Sequence, residues 1–420
     1  MNFYLIIIFV ILVGGYLLNL LVEALNIKAA NSKLPSEFVG YYDPERYRRS
    51  QDYLRENTRF SLIYSGLLTG LFVILILTGA FNWIDKFARS FEFSLIPTGL
   101  LFVFFIFLSL ELVNLPFSIY HTFGLEQKYG FNRTTPRTFI LDKIKSSIIS
   151  IVLGGLILSF VFWFFSQFRS WGWLFCWAGL TLFELFLLFI WPRFIMPLFN
   201  KFELIEEGEL KKKIKDYADW QNFQIQGVYQ MDASKRSTKS NAFFAGFGKF
   251  KRIVLFDTLV ENHSPDEIVS ILAHEVGHYK KRHIFQMILI SFITNGLMFY
   301  ILSLFITNPS LFNAFKMENI SVYAGLLFFG FLYTPINSLF SVFVNQISRK
   351  NEKEADFFAV RSTSLGEQFI KALKKLSVKN LSNLTPHPIK VLLFYSHPPV
   401  LERIRYIRMA ESREEKIESR

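Results

Sequence analysis

The chain has 420 residues, of which 51% are hydrophobic and only 19% are charged. This balance excludes an ordinary soluble protein, because long apolar runs on a soluble surface would face water, and it indicates a membrane-embedded chain. The formal net charge of +12 could suggest nucleic acid. The Lys and Arg residues flank the apolar runs instead of forming one patch, so we expect contacts with membrane lipid and none with nucleic acid.

Seven apolar stretches are long enough to cross a bilayer as helices. The first begins almost at Met1, its basic residues follow it, and no small-residue cleavage site is evident, so we expect a retained membrane anchor. Cys176 is the single cysteine, which excludes an intrachain disulfide and a cysteine metal cluster. The predicted spans cover residues 2–24, 60–83, 97–120, 147–167, 172–196, 285–307 and 321–346.

The loops between the spans alternate between rich and poor in Lys and Arg, which predicts an outside N-terminus and a cytosolic C-terminus. Residues 223–231 and 252–257 have strand patterns, and residues 207–220 have a helical pattern. We therefore expect a mainly α membrane protein with a small α+β domain on the cytosolic side. The predicted segments are 1–196 with five spans, 197–284 as the first part of that domain, 285–346 with two spans, and 347–420 as its second part.

Several spans carry polar residues at positions that are unfavourable in a bilayer. They would fit an aqueous interior chamber, or they could make interhelical hydrogen bonds in an ordinary bundle. The sequence leaves both readings open. These residues are Glu111, Asn114, Glu184, Asn295 and Asn337.

The clearest chemical motif is His-Glu-Val-Gly-His at residues 274–278. Ser264 and Glu267 form a capping box that starts a helix, and the spacing of four places His274 and His278 on the same face, where both imidazoles can bind one zinc ion. Glu275 then points beside the metal. A lone motif of this kind also occurs in unrelated proteins, so its context must decide.

Zinc catalysis needs a third protein ligand, and the segment 351–356 can supply one. We expect Glu352 to bind the ion and Asp356, one helical turn later, to hydrogen-bond a ligand imidazole and fix its tautomer. Glu354 lies on another face of that helix and is the weaker choice. The three ligands His274, His278 and Glu352 predict one zinc ion per chain.

These residues suggest peptide hydrolysis. Zinc would acidify a bound water, and Glu275 would take its proton and return a proton to the leaving amine. The oxyanion also needs a donor, for which His397 and Arg403 are candidates. From its place in a Pro-terminated turn alone, His397 is an ordinary loop histidine.

The chain resembles the type I CaaX prenyl endopeptidases, a family of membrane gluzincins that cleave prenylated C-termini. The resemblance runs nearly from end to end and is more specific than the zinc motif. Its distinctive stretches are residues 123–132, 197–202, 234–244 and 252–259, the zinc helix, Glu352 with residues 355–356, and residues 396–403.

This resemblance implies a ring of seven spanning helices around an intramembrane chamber, with a gluzincin-type zinc protease domain on the cytosolic side. It implies that Asn241, Ala242 and Phe243 bind the substrate backbone as an added strand. It also makes His397 and Arg403 contacts of the transition state and the substrate. The expected partner is a peptide or a prenylated protein C-terminus.

The short connections, and the absence of a dilysine or Lys-Asp-Glu-Leu retrieval signal, favour a bacterial inner membrane over the endoplasmic reticulum. In that setting another membrane-associated peptide could replace the prenylated substrate. Two alternatives stay open: a quality-control metalloprotease for membrane proteins, and a non-enzymatic membrane carrier with a structural zinc site.

Overall fold

The computed structural model describes residues 2–30, 33–168, 171–246 and 251–418, and it confirms the predicted mainly helical membrane fold. Seven of its helices are long and apolar enough to cross a membrane. The helices are α1 (Phe3–Ala29), α2 (Pro44–Thr78), α3 (Ala80–Arg89), α4 (Leu95–Ile119), α5 (Pro136–Phe168), α6 (Gly172–Ile190), α7 (Glu209–Trp220), α8 (Asp257–Val260), α9 (Pro265–Lys280), α10 (His283–Phe305), α11 (Pro309–Ala314), α12 (Val322–Thr363), α13 (Gly366–Lys379), α14 (Pro388–Phe394) and α15 (Val400–Glu418).

The seven spanning helices are α1, α2, α4, α5, α6, α10 and α12. The predicted end of the second span is wrong: its helix ends at Thr78 and not at residue 83. Gly79 adopts a left-handed conformation with φ of 73° and closes α2, and the chain then turns into the separate short helix α3. Glycine takes this conformation without the steric penalty of a side chain and can therefore end the helix. The prediction followed the apolar run, which continues beyond Gly79, and so placed the end of the span too late.

The spanning helices contact one another in a closed circuit. Helix α1 packs on α2, α3 joins α2 to α4, and α4, α5, α6, α10 and α12 follow in order before α12 returns to α1. The helices pack tightly at one end, around buried aromatic residues such as Phe102, Phe162 and Phe328. At the other end they enter the core of the small domain.

Between these two packed ends the helices have no fully buried side chains. Helix α12 has none between Phe329 and Asn351, α2 has none between Thr58 and Ile76, and α5 has none before Val161. A solid bundle would bury one face of each helix along its whole length. The circuit of helices therefore encloses an interior chamber.

Two of the polar intramembrane residues join neighbouring helices inside this ring. Glu111 on α4 accepts a hydrogen bond of 3.0 Å from Lys143 on α5, and Glu184 on α6 accepts one of 2.9 Å from Asn295 on α10. Pairing of this kind lowers the penalty of placing a carboxylate in the membrane. Interhelical bonding and a chamber are thus both present.

The small domain contains a four-stranded sheet in the order β1-β2-β4-β3. Strands β2 (Gly227–Met231) and β4 (Arg252–Phe256) are the two that the sequence patterns predict, and they pair in parallel. Strand β3 (Ala242–Ala245) pairs antiparallel with β4 and forms one edge of the sheet. Strand β1 (Phe202–Leu204) was not predicted, because three residues are too few to show an alternating pattern. The four-segment division of the chain stays a prediction.

Gly325 provides a test of the tight closure at the end of the chamber remote from the small domain. A Cβ at Gly325 would clash with the backbone oxygen of Ile306, whereas a Cβ at Gly330 on the same helix would meet nothing within 4 Å. We expect Gly325→Ala to lower the thermal unfolding midpoint by several degrees, because a backbone contact cannot yield without moving a helix. Gly330→Ala is the matched control and should be neutral or slightly stabilising. Equal midpoints for the two variants would contradict this packing.

Candidate metalloprotease active site

The site is built on the crossing of helices α9 and α12. The capping box sets the start of α9: the Ser264 hydroxyl accepts the Glu267 amide, and the Glu267 carboxylate accepts the Ser264 amide. At the crossing, a Cβ on Gly277 would lie 3.1 Å from the Cα of Ala355. The small residues at 277 and 355 thus allow the two backbones to approach closely, which brings α12 against the face of α9 that carries the histidines.

Three candidate metal ligands meet at this crossing. The Nε2 atoms of His274 and His278 are 3.1 Å apart, and the carboxylate of Glu352 lies 3.4 Å from the first and 3.2 Å from the second. His274 and Glu352 are buried, while His278 is partly exposed. One ligand atom from each of the three residues could therefore bind the same ion.

The spacing of these atoms fits a metal ion. Tetrahedral ligands at about 2.0 to 2.1 Å from a zinc-like ion are separated from one another by about 3.4 Å, close to the distances found here. Moreover, the Oε2 atom of Glu352 is buried and has no hydrogen-bond partner among the described residues. A buried carboxylate oxygen is unfavourable without a partner, and a cation between the three side chains would supply one.

Asp356 lies behind His274, on its Nδ1 side, and Arg403 lies between Asp356 and Glu352, with one nitrogen 3.9 Å from the Glu352 carboxylate. The Nδ1 atom of His274 is 2.8 Å from Asp356, and Arg403 donates two hydrogen bonds, of 2.6 and 3.0 Å, to the same carboxylate. If Nε2 of His274 binds a metal, Nδ1 carries the proton and donates it to Asp356. The 3.2 Å approach of Arg403 to Nδ1 then joins two donors and is not itself a hydrogen bond.

Burial and neighbouring charges shift the pKa values of His274 and Arg403. Burial and the charge of Arg403 lower the pKa of His274, but the hydrogen bonds and charges of Asp356 and Glu352 prevail and raise it to about 9. The His274 ring therefore favours a proton, with which a metal ion must compete. Burial would lower the pKa of Arg403, but the carboxylate of Asp356 and then those of Glu352 and Glu275 raise it, so the guanidinium stays charged.

The structure brings two further predicted residues to this cluster. Glu275 follows His274 on α9, is partly exposed, and lies near enough to Arg403 to affect its pKa. His397, in the turn before α15, has its Nε2 atom 3.3 Å from Glu352 and a side chain that is 65% exposed. The Ser396 hydroxyl lies 2.9 Å from the other ring nitrogen. His397 thus approaches the ligands from the solvent-exposed side, whereas the Arg403 side chain is largely buried.

The three predicted substrate-binding residues lie together on the edge strand. Asn241 is exposed just before β3, and Ala242 and Phe243 are the first residues of that strand, which contacts α9. Among the described residues no further strand pairs with the outer edge of β3. The loop before β3 is anchored to the membrane region, because Arg236 binds Asp142 on α5 at 2.7 and 3.0 Å.

Sequence reasoning missed one histidine of this site. His283, the first residue of α10, is buried, and its Nδ1 atom lies 3.1 Å from Nδ1 of His278, while its Nε2 atom is 3.3 Å from Glu354. The only available signal was its position five residues after His278. Glu354 was weighed as a metal ligand and not as a partner of another side chain.

Comparison with known proteins agrees with this architecture. Residues 23–201 match the family description "CAAX prenyl protease N-terminal, five membrane helices", and residues 204–411 match peptidase family M48. The chain is 33% identical to CAAX prenyl protease 1 of Saccharomyces cerevisiae over 90% of this chain and 89% of that protein. It is 30% identical to the human CAAX prenyl protease 1 homolog, over 91% and 90% of the two chains.

A solved structure is similar over almost the whole chain. The crystal structure of S. mikatae Ste24p superposes with a TM-score of 0.91 and 31% sequence identity, covering 96% of this chain and 99% of that one. The resemblance inferred from the sequence motifs is therefore confirmed. The chain belongs to peptidase family M48 and, within it, to the CAAX prenyl protease 1 family of integral-membrane metalloendopeptidases.

Proposed function

We propose that the chain is a zinc-dependent endopeptidase that cleaves near the C-terminus of prenylated, CaaX-type proteins or of related membrane-associated peptides. The observation that carries this proposal is the cluster of His274, His278 and Glu352 at the point where a membrane helix, α12, continues into the small domain. A peptide tethered to the membrane would reach such a site. The substrate class is taken from the relatives, whose names are CAAX prenyl proteases.

In the proposed chemistry, the metal activates the water and the peptide carbonyl, and Glu275 transfers the protons. When bound, zinc polarises a peptide carbonyl and makes water more acidic, and two imidazoles with one carboxylate are a ligand set that suits it. Glu275 follows His274 in the chain and is not one of the three candidate ligands. It takes the proton of the attacking water and delivers a proton to the leaving amine.

His397 and Arg403 take different roles in this proposal. His397 is exposed on the open side of the cluster, from which its ring can donate a hydrogen bond to the developing oxyanion. Arg403 is largely buried, and two of its nitrogens are bound to Asp356. In place of the contact with substrate that the resemblance implies, we therefore propose Arg403 as a positioning residue that holds Asp356 and, through it, the His274 ring.

The substrate peptide adds to the sheet along β3. Within the part of the chain that the structure describes, no strand pairs with the outer edge of β3, which lies beside the zinc helix, and this suits strand addition. The Asn241 side-chain oxygen accepts the Ala242 amide at 2.9 Å. We propose that the side-chain nitrogen of Asn241, which has no hydrogen-bond partner among the described residues, donates to a substrate carbonyl. In this proposal the interior chamber receives the apolar prenyl chain.

The catalytic domain is assigned to the cytosolic side because the basic loops lie on the same side as residues 197–284. The bacterial inner membrane gains no support from the comparisons, since the relatives named above are from yeasts and human. Membership of a peptidase family speaks against the non-enzymatic carrier. A quality-control protease differs from the main proposal only in substrate, so it should cleave unprenylated membrane peptides equally well.

The first experiment compares wild type with Glu275→Gln on a farnesylated CaaX peptide. The kcat of the variant should be about 10²- to 10⁴-fold lower than that of wild type, because the variant lacks the general base. Its zinc content should be unchanged, because Glu275 is not a ligand. Cleavage is followed by mass spectrometry, with the unprenylated peptide as a control. Full activity of a zinc-loaded variant would overturn the mechanism, and equal rates on both peptides would favour the quality-control alternative.

The role of His397 is tested by His397→Ala. Loss of an oxyanion donor should lower kcat by about 10²- to 10³-fold with little change in KM, since the contact forms mainly in the transition state. The residue is exposed, so the thermal midpoint and metal content should match those of wild type. A rise in KM without a fall in kcat would instead indicate a contact with the ground-state substrate.

The role of Asn241 is tested by Asn241→Asp. The carboxylate still accepts the Ala242 amide but cannot donate to a substrate carbonyl, so we expect kcat/KM to fall about tenfold, mainly through KM. Steady-state kinetics on the prenylated peptide measure this. Unchanged kinetics would remove Asn241 from the substrate site.

A further inference from the structure

Each of the two candidate metal-binding histidines has a polar partner at its Nδ1 atom, and the two partners differ. His274 contacts Asp356, whereas His278 contacts His283, which in turn contacts Glu354. We propose that His283 and Glu354 are positioning residues that hold the His278 imidazole in its metal-binding orientation and tautomer. This inference rests on the proposed metalloprotease function and deepens it.

The direction of the hydrogen bonds follows from the atoms in contact. When Nε2 of His278 binds a metal, its Nδ1 atom carries the proton and donates to Nδ1 of His283, 3.1 Å away. The proton of His283 then lies on Nε2, which faces Glu354 at 3.3 Å. One arrangement therefore satisfies every atom of the chain His278–His283–Glu354, with the carboxylate as the final acceptor.

The backbone between α9 and α10 is shaped to make this contact. Helix α9 ends at Lys280 and α10 begins at His283, and Arg282 between them has φ of 59° and ψ of 28°. This left-handed conformation is unfavourable for a residue with a side chain and usually reflects a structural requirement. Here it reverses the chain so that the His283 ring, buried at 5% exposure, lies against His278.

A second buried histidine shows what a purely structural role looks like. His263 also lies in the small domain at 7% exposure, but its ring nitrogen bonds the backbone oxygen of Leu259. His283 instead joins two side chains, one a candidate metal ligand and the other a carboxylate on α12, the helix that carries Glu352. Helix α12 would thus support both imidazoles, through Asp356 and through Glu354.

The test measures zinc affinity by chelator competition on the full-length protein in detergent. His283→Phe keeps the ring volume and removes the hydrogen bonds, and it should weaken zinc binding by about 10- to 100-fold. Glu354→Leu should weaken it by about tenfold, and Glu354→Gln, which keeps a neutral acceptor, by less. The double variant should bind no more weakly than His283→Phe alone, since either change interrupts the same chain.

Two controls separate the possible failures. His263→Phe should leave zinc affinity unchanged, and His278→Ala should abolish zinc binding. If His283→Phe and Glu354→Leu bind zinc as wild type does while His278→Ala does not, the positioning role is overturned and the proposed function stands. If His278→Ala also binds normally, the proposed metal site falls as well. Should His283→Phe fail to fold, the Glu354 variants decide, because that side chain is 41% exposed.

Discussion

The close crossing of α9 and α12 is the contact on which the rest of the site depends. Gly277 has no side chain and Ala355 has only a methyl group, so the two backbones can approach closely. A rotation of α12 by one residue, about 100° and 1.5 Å along its axis, would carry Glu352 away from both histidines. Packing of two helices, and not metal affinity alone, therefore brings the three ligand atoms together.

The same crossing joins the site to the membrane region. Helix α12 runs for 42 residues, with Pro335 inside it, from the closed end of the chamber at Val322 to Thr363 in the small domain. Arg236 ties the loop before the edge strand to α5 in a similar way. The proposed zinc site and the proposed peptide strand are thus both fixed relative to the chamber, so that a membrane-anchored peptide would meet them in a defined orientation.

Burying the ionic groups behind His274 requires that each of them be satisfied. Asp356 is fully buried, yet it contacts His274 and two nitrogens of Arg403. A buried carboxylate without such partners would be strongly destabilising. Removing Arg403 or Asp356 would leave the charge of the other buried and unpaired. Arg403 comes from α15, far along the chain, so the site is complete only when the last helix is packed in place.

The sequence by itself determined what depends on near neighbours. Long apolar runs specify the spans, the capping box at Ser264 and Glu267 specifies the start of α9, and the spacing of His274 and His278 places two imidazoles on one face. These features follow from bilayer thickness, from local hydrogen bonds and from the helical repeat. The sequence also favoured Glu352 over Glu354 as the third ligand, but only tertiary structure decided that His283 lies against His278 and that β3 is an edge strand of the sheet. Those outcomes depend on how separate helices and strands turn and pack against one another, which no local sequence pattern encodes.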